Sequence, residues 1–121
     1  MSEGMAYRIL IVEDEMTIAF MIEDFLISLG HEVVEIAMRL PEALEAARRV
    51  EADLAILDVN LDGLRSFPVA EVLEERGIPF GFATGYGAMG VEERFRRHPI
   101  LKKPFRLVDL EALIWQIVVP C

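Results

Sequence analysis

Four short apolar runs in this chain each end on a polar or charged residue, and no other feature restricts the fold as much. Arg8-Ile9-Leu10-Ile11-Val12 leads into Glu13-Asp14-Glu15, and Leu54-Ala55-Ile56-Leu57 into Asp58. Pro79 to Ala83 leads into Thr84, and Ile100-Leu101-Lys102 into Lys103-Pro104. Runs this short, with little alternation, read as strands buried on both faces, as in a parallel sheet covered by helices on each side. The polar residues then sit at the C-terminal ends of the strands, where open α/β sheets hold their sites. The pattern predicts one crevice that collects Glu13, Asp14, Asp58, Thr84 and Lys103.

Helical patterns fill the intervals. Ile18, Met21, Ile22, Phe25, Leu26 and Leu29 recur at helical spacing and stop at Gly30, a favourable residue just past a helix end. A strand over Glu32–Ala37 mixes acids with valines, as suits a sheet edge. A second helix starts near Leu40 with Pro41 in its first turn. Asp62-Gly63 is a turn signal. A third helix runs from Ser66, as N-cap, to Arg76, with Gly77 after it. The glycine-rich loop Gly85–Gly90 precedes a short fourth helix over Val91–Arg97, and a fifth spans Leu107–Val119. Crossovers between parallel strands are right-handed, so the helices must cover both faces. The predicted fold is α/β, a doubly wound five-stranded parallel sheet, with the flavodoxin-like order 2-1-3-4-5 as one of two common solutions. Residues 1–121 read as one domain with no output domain attached.

Charge and composition exclude several functions. The 21 acidic against 12 basic residues give a net charge of −9, which disfavours direct nucleic-acid binding. No run of 18 apolar residues suggests a membrane span, and the first residues lack the apolar segment of a signal peptide. A cytoplasmic location is the default expectation. The single cysteine, Cys121, reads as a frayed terminal thiol.

The expected crevice has a definite chemistry. Three carboxylates at neighbouring strand ends repel, and one takes up a proton unless a cation neutralises them. Oxygen ligands of this kind suit Mg2+. Lys103 adds a positive charge and Thr84 a hydroxyl donor. Metal, ammonium and hydroxyl together can hold the three equatorial oxygens of a phosphoryl group in transfer, a reaction that needs mainly positioning and charge stabilisation. A carboxylate can also be the nucleophile, giving an aspartyl-phosphate. Asp58 suits that role because it ends the central strand beside an open loop. Taken singly, any of the five could merely cap a following helix; their combination favours a site.

These residues resemble a known family. Ile-Val-Glu13-Asp14-Glu, Leu-Asp58-Val-Asn60-Leu-Asp62-Gly63, Ala-Thr84-Gly85 and Lys103-Pro104-Phe105 are similar, in order and over nearly the whole chain, to the signature blocks of bacterial response-regulator receiver domains. The resemblance implies a receiver of a two-component system that takes phosphate from a sensor histidine kinase with Mg2+. It implies Asp58 as phosphoacceptor, with Asp14, Asp58 and the backbone carbonyl of Asn60 on the metal and Glu13 acting through a metal-bound water. Thr84 and Lys103 would bind the phosphoryl oxygens, and the Lys103–Pro104 peptide would be cis. A receiver is a signalling domain and not an enzyme, beyond assisting its own phosphorylation and dephosphorylation. Without an output domain it would signal by binding an unknown downstream protein or by draining phosphate from the kinase; a homodimer is a further expected assembly.

One departure narrows the resemblance. Receivers usually carry Tyr or Phe three residues before the lysine, as a switch coupled to the threonine; here the residue is Ile100. Phe80-Gly81-Phe82-Ala83-Thr84-Gly85-Tyr86 resembles the atypical "FAT GUY" receivers, which lack that aromatic and in which the loop after the fourth strand is thought to carry the conformational change. Tyr86 is then a substitute lever, or else a simple loop aromatic.

Other readings fit less well. Asp58 to Gly63 matches the start of a calcium-binding EF-hand loop, but Val69 stands where a glutamate belongs. Gly85-Tyr-Gly87-Ala-Met-Gly90 matches a dinucleotide fingerprint without a second half to hold the ligand. His31 and His98 read as ordinary surface histidines. Trp115 and the last helix's apolar stripe read as core, with an interaction face as the alternative. Two rival functions stay open at the level of sequence: a small phosphatase with an aspartyl nucleophile, which would want an acid at Asn60, and an unphosphorylated pseudo-receiver used only for docking.

Overall fold

The structure, a computed structural model, describes residues 5–119; Cys121 lies outside the described residues. In chain order the elements are β1 (Arg8–Val12), α1 (Met16–Ser28), β2 (Glu32–Ala37), α2 (Leu40–Arg49), β3 (Leu54–Leu57), β4 (Asn60–Leu61), β5 (Leu64–Arg65), α3 (Phe67–Arg76), β6 (Phe80–Thr84), β7 (Ile100–Lys102) and α4 (Leu107–Val118). Five strands form one parallel sheet in the order β2-β1-β3-β6-β7. This is the expected doubly wound, flavodoxin-like 2-1-3-4-5 arrangement, since β4 and β5 pair only with each other.

Alternation along each strand divides the core into two layers. Leu10 and Val12 of β1 face one way, packing with Ala43 and Ala47 of α2, Leu73 of α3 and Phe82 of β6. Ile9 and Ile11 face the other way, packing with Ile22 and Leu26 of α1 and Leu110 and Leu113 of α4. Gly81 lies where β6 meets α4. A Cβ there would come within 2.9 Å of Ile117 Cδ1 and 3.1 Å of Leu113 Cδ1, so glycine lets the helix seat closely on the strand.

Two local features differ from expectation. The fourth helix expected over Val91–Arg97 is absent. Two 3-10 turns, Gly87–Gly90 and Glu93–Phe95, take its place. Only Val91 and Phe95 of that segment are buried, and Phe95 stacks on Phe67 with ring centroids 5.4 Å apart. Two apolar anchors are too few to hold a helix, and Pro99 pushes His98 away from helical geometry. The second feature is the β4–β5 hairpin. Its two-residue turn is Asp62-Gly63, with φ of 54° and 88°, the left-handed geometry such hairpin turns need. Ser66 does flank α3, but its side chain makes no cap bond and its buried hydroxyl has no partner. Trp115, expected in the core, is 47% exposed on the outer side of α4. Among the described residues, no helix is long and apolar enough to cross a membrane.

Candidate functional site

Backbone hydrogen bonds carry the sheet pattern one residue past the strands and so fix the polar side chains at one edge. Glu13 N–H donates to the Ala37 carbonyl at 3.0 Å, Asp58 N–H to that of Val12 at 2.8 Å, and Lys103 N–H to that of Thr84 at 2.8 Å. The five residues expected to converge are thereby brought to one end of the sheet. Lys103 Nζ donates to Glu13 Oε1 at 2.6 Å and to Asp58 Oδ2 at 3.2 Å. Glu13, Asp14 and Asp58 each offer one oxygen, all within 4.8 Å of one another.

Further bonds hold these groups in place. Asp14 Oδ2 accepts from the Asp62 N–H at 2.9 Å, so the hairpin steadies this carboxylate. Glu13 Oε2 accepts from the Glu15 N–H at 3.1 Å. Asn60 N–H donates weakly to Asp58 Oδ1 at 3.4 Å. Thr84 Oγ1 accepts from the Tyr86 N–H at 3.3 Å. Asp14, Asp58, Asn60, Thr84 and Lys103 line an open cleft of about 670 Å³, while Glu13, 1% exposed, lies outside its lining.

Burial decides the electrostatics. Glu13 is pushed up from 4.5 to about 7, first by burial and then by the Asp58 charge, against the opposing pull of Lys103. Burial also opposes the Lys103 charge, but its hydrogen bond to Glu13 and the charges of Asp58 and Glu13 outweigh that and raise it above the usual value. The lysine is therefore a permanent cation, and it does not fully neutralise the acids. A carboxyl raised by folding makes the folded state hold more protons than the unfolded chain between about 4.5 and 7. Metal-free stability therefore falls as pH rises through that interval and is level above it. The expected fall is on the order of 2 kcal/mol. Urea unfolding across pH checks it, and Glu13→Gln flattens the slope.

Two sequence matches dissolve here. Asp58–Gly63 runs from a strand end through a hairpin, not between two helices, and Gly85–Gly90 itself ends in the 3-10 turn Gly87–Gly90, with no α-helix opening there. His31 and His98 are half-buried, contrary to the surface placement expected. His31 Nδ1 accepts from the Tyr7 N–H at 3.1 Å. His98 stacks on Phe80 at 4.0 Å and pairs with Glu74 at 2.8 Å. Three features of the site were not foreseen: the Asp62 backbone bond to Asp14, Arg65 in the cleft lining, and Gly90 against the threonine. A Cβ on Gly90 would lie 3.3 Å from Thr84 Oγ1. The Asp-Gly pair announced a turn but not where the turn would dock.

Residues 9–114 match the response regulator receiver domain. The chain belongs to that family. Among solved structures, this receiver is similar to SdrG from Sphingomonas melonis Fr1, with 44% identity, a TM-score of 0.85, and coverage of 94% of this chain and 98% of that one. It is also similar to the anti-anti-sigma factor PhyR from Bartonella quintana, with 31% identity, a TM-score of 0.81, and coverage of 97% of this chain and 49% of that one. A curated relative, the phyllosphere-induced regulator PhyR of Methylorubrum extorquens, is 33% identical over 96% of this chain but only 45% of its own length. The receiver thus spans less than half of that regulator. The Lys103–Pro104 peptide is cis, as the family resemblance implied. At the position where the family usually carries an aromatic, half-buried Ile100 pairs in register with Phe82.

Proposed function

We propose that this receiver takes a phosphoryl group from a sensor histidine kinase onto Asp58, with Mg2+, and that the Gly85–Gly90 loop and partner binding change as a result. The observation that carries this reading is the Lys103 ammonium held between Glu13 and Asp58, with Lys103 and Asp58 lining the cleft. The carboxylates fit the metal: three hard oxygen donors lie close together, and the single charge of Lys103 cannot balance three carboxylates. Asp14, Asp58 and the Asn60 carbonyl would hold the ion, with Glu13 acting through a water. When bound, the ion supplies charge neutralisation for the phosphoryl oxygens.

The chain's own residues do the rest. An Asp58 carboxylate oxygen forms the new O–P bond while the donor's N–P bond breaks, its electron pair leaving on the imidazole nitrogen. Lys103 stays in reach of the transferred group and offsets its charge. Thr84 turns its hydroxyl proton to a phosphoryl oxygen and gives up the Tyr86 N–H. That release lets Tyr86, 77% exposed, move with the loop. The absence of the usual aromatic at Ile100 and the Phe80–Tyr86 stretch support membership of the "FAT GUY" group. We place the protein in the cytoplasm, as one receiver domain over residues 1–121, acting on a downstream protein. A role near sigma-factor control is supported by the relative described as an anti-anti-sigma factor.

The phosphoacceptor reading predicts stoichiometric uptake. With acetyl phosphate and Mg2+, incorporation levels off at about one phosphoryl per chain, and a small phosphomonoester is not turned over. Sustained turnover of the phosphomonoester would favour a phosphatase, and no uptake at all would favour a docking module.

A further inference from the structure

We propose that Arg65 is a second tether of the Gly85–Gly90 loop and a second cation for the phosphoryl group, moving from the Gly90 carbonyl to the phosphoryl oxygens when Asp58 is modified. The inference rests on the reading of Asp58 as phosphoacceptor. Arg65 pairs in register with Asn60, two residues beyond Asp58, across the β4–β5 hairpin. The backbone that carries it is fixed by the Asp62 N–H on Asp14 and by the Ser66 N–H on the Val59 carbonyl at 2.8 Å. Its side chain is exposed and lines the same cleft as Asp58, Thr84 and Lys103. Its one hydrogen bond among the described residues is long, 3.5 Å from Nη1 to the Gly90 carbonyl. Arg39, near the same hairpin, is by contrast paired with Asp62 at 3.0 Å. Among the described residues, then, Arg65 is a guanidinium with no carboxylate partner, weakly held, at the rim of an acidic cleft.

Charge counting explains why such a cation is needed. With Glu13, Asp14 and Asp58 ionised, Lys103 and a divalent ion balance three carboxylates. Turning the Asp58 carboxylate into an acyl phosphate replaces one negative charge by about two. The occupied site then lacks about one positive charge, and a guanidinium matches phosphoryl oxygens well. The same movement acts on the loop. Thr84 Oγ1 holds its near end through the Tyr86 N–H, and Arg65 holds its far end at Gly90. Phosphorylation draws both groups toward the phosphoryl and frees both ends together.

The test uses the full chain with beryllofluoride and Mg2+ as the phosphoryl mimic, followed by amide NMR. Arg65→Ala is expected to weaken beryllofluoride binding about tenfold, the size of one charge-assisted hydrogen bond. Arg65→Lys should lose less. Without beryllofluoride, Arg65→Ala should also shift the Val91 amide, which shares its peptide with the Gly90 carbonyl, toward its position in the wild type with the mimic. An unchanged unfolding midpoint shows that the variant is folded; if the midpoint falls, the comparison is made with Arg65→Lys. Wild-type affinity in Arg65→Ala, or an unmoved Val91 amide, overturns the role of Arg65 and leaves Asp58 untouched. A wild type that does not respond to beryllofluoride, or an Asp58→Asn variant that responds equally, overturns the phosphoacceptor reading and this inference with it.

Discussion

Asp58→Asn is expected to abolish phosphate uptake and, in the absence of metal, to make the protein more stable. The first effect follows from chemistry: an amide is not a nucleophile toward phosphorus and carries no charge for a metal. The second follows from the electrostatics of the pocket. Asp58 is one of the two causes that push Glu13 up to about 7, so its charge works against a buried neighbour. Removing it leaves Lys103 paired with Glu13 at 2.6 Å and relieves the repulsion. A gain of about 1 kcal/mol in metal-free stability is expected, read as a higher urea midpoint at unchanged slope. Added Mg2+ should stabilise the variant less than the wild type, because one ligand is gone. A variant that loses stability in metal-free buffer would mean that the three carboxylates do not strain the fold.

Lys103→Met acts in the opposite sense. It leaves Glu13 buried beside Asp58 with no cation, and removing one partner from a buried pair is strongly destabilising. Lys103 keeps some solvent contact, its side chain 15% exposed, so a loss of about 1–3 kcal/mol is expected instead of the full penalty. Glu13 should then hold its proton to higher pH, extending the fall of stability past pH 7. Phosphorylation from acetyl phosphate should slow by about 10²–10³-fold, as when a preorganised charge is lost from a transition state. Mg2+ binding should tighten, because a cation has left the neighbourhood of the carboxylates. Calorimetric titration and single-turnover phosphorylation separate these effects. If Mg2+ affinity and rate fall together, the lysine acts by organising the carboxylates and not by charge.

Much of this was legible in the chain, and the reason is physical. Parallel strands of such a sheet are short, mostly apolar runs, so Arg8–Val12, Leu54–Leu57 and Ile100–Lys102 announce themselves, and the residue after each run is placed by the sheet's own hydrogen bonds. Glu13, Asp58 and Lys103 therefore converge without any need to foresee loops. The segment after Thr84 was harder. Val91 and Phe95 are spaced like a helix face, yet they anchor two 3-10 turns. Periodicity over so few residues cannot separate the two. The β4–β5 hairpin was hidden because each of its strands has only two residues. Arg65 was invisible for a related reason: its place in the cleft depends on where that hairpin docks. Trp115 followed its apolar neighbours in composition, but α4 buries Leu110, Leu113 and Ile114 and turns the tryptophan outward.

The most direct test is to locate the phosphoryl group. The wild-type protein is treated with acetyl phosphate and Mg2+, reduced with borohydride to trap acyl phosphates, digested and sequenced by mass spectrometry. Reduction at Asp58 alone, and none when the metal is chelated, is the predicted result. Reduction at Glu13 or Asp14, or equal labelling without Mg2+, would contradict a phosphoryl transfer centred on the end of β3.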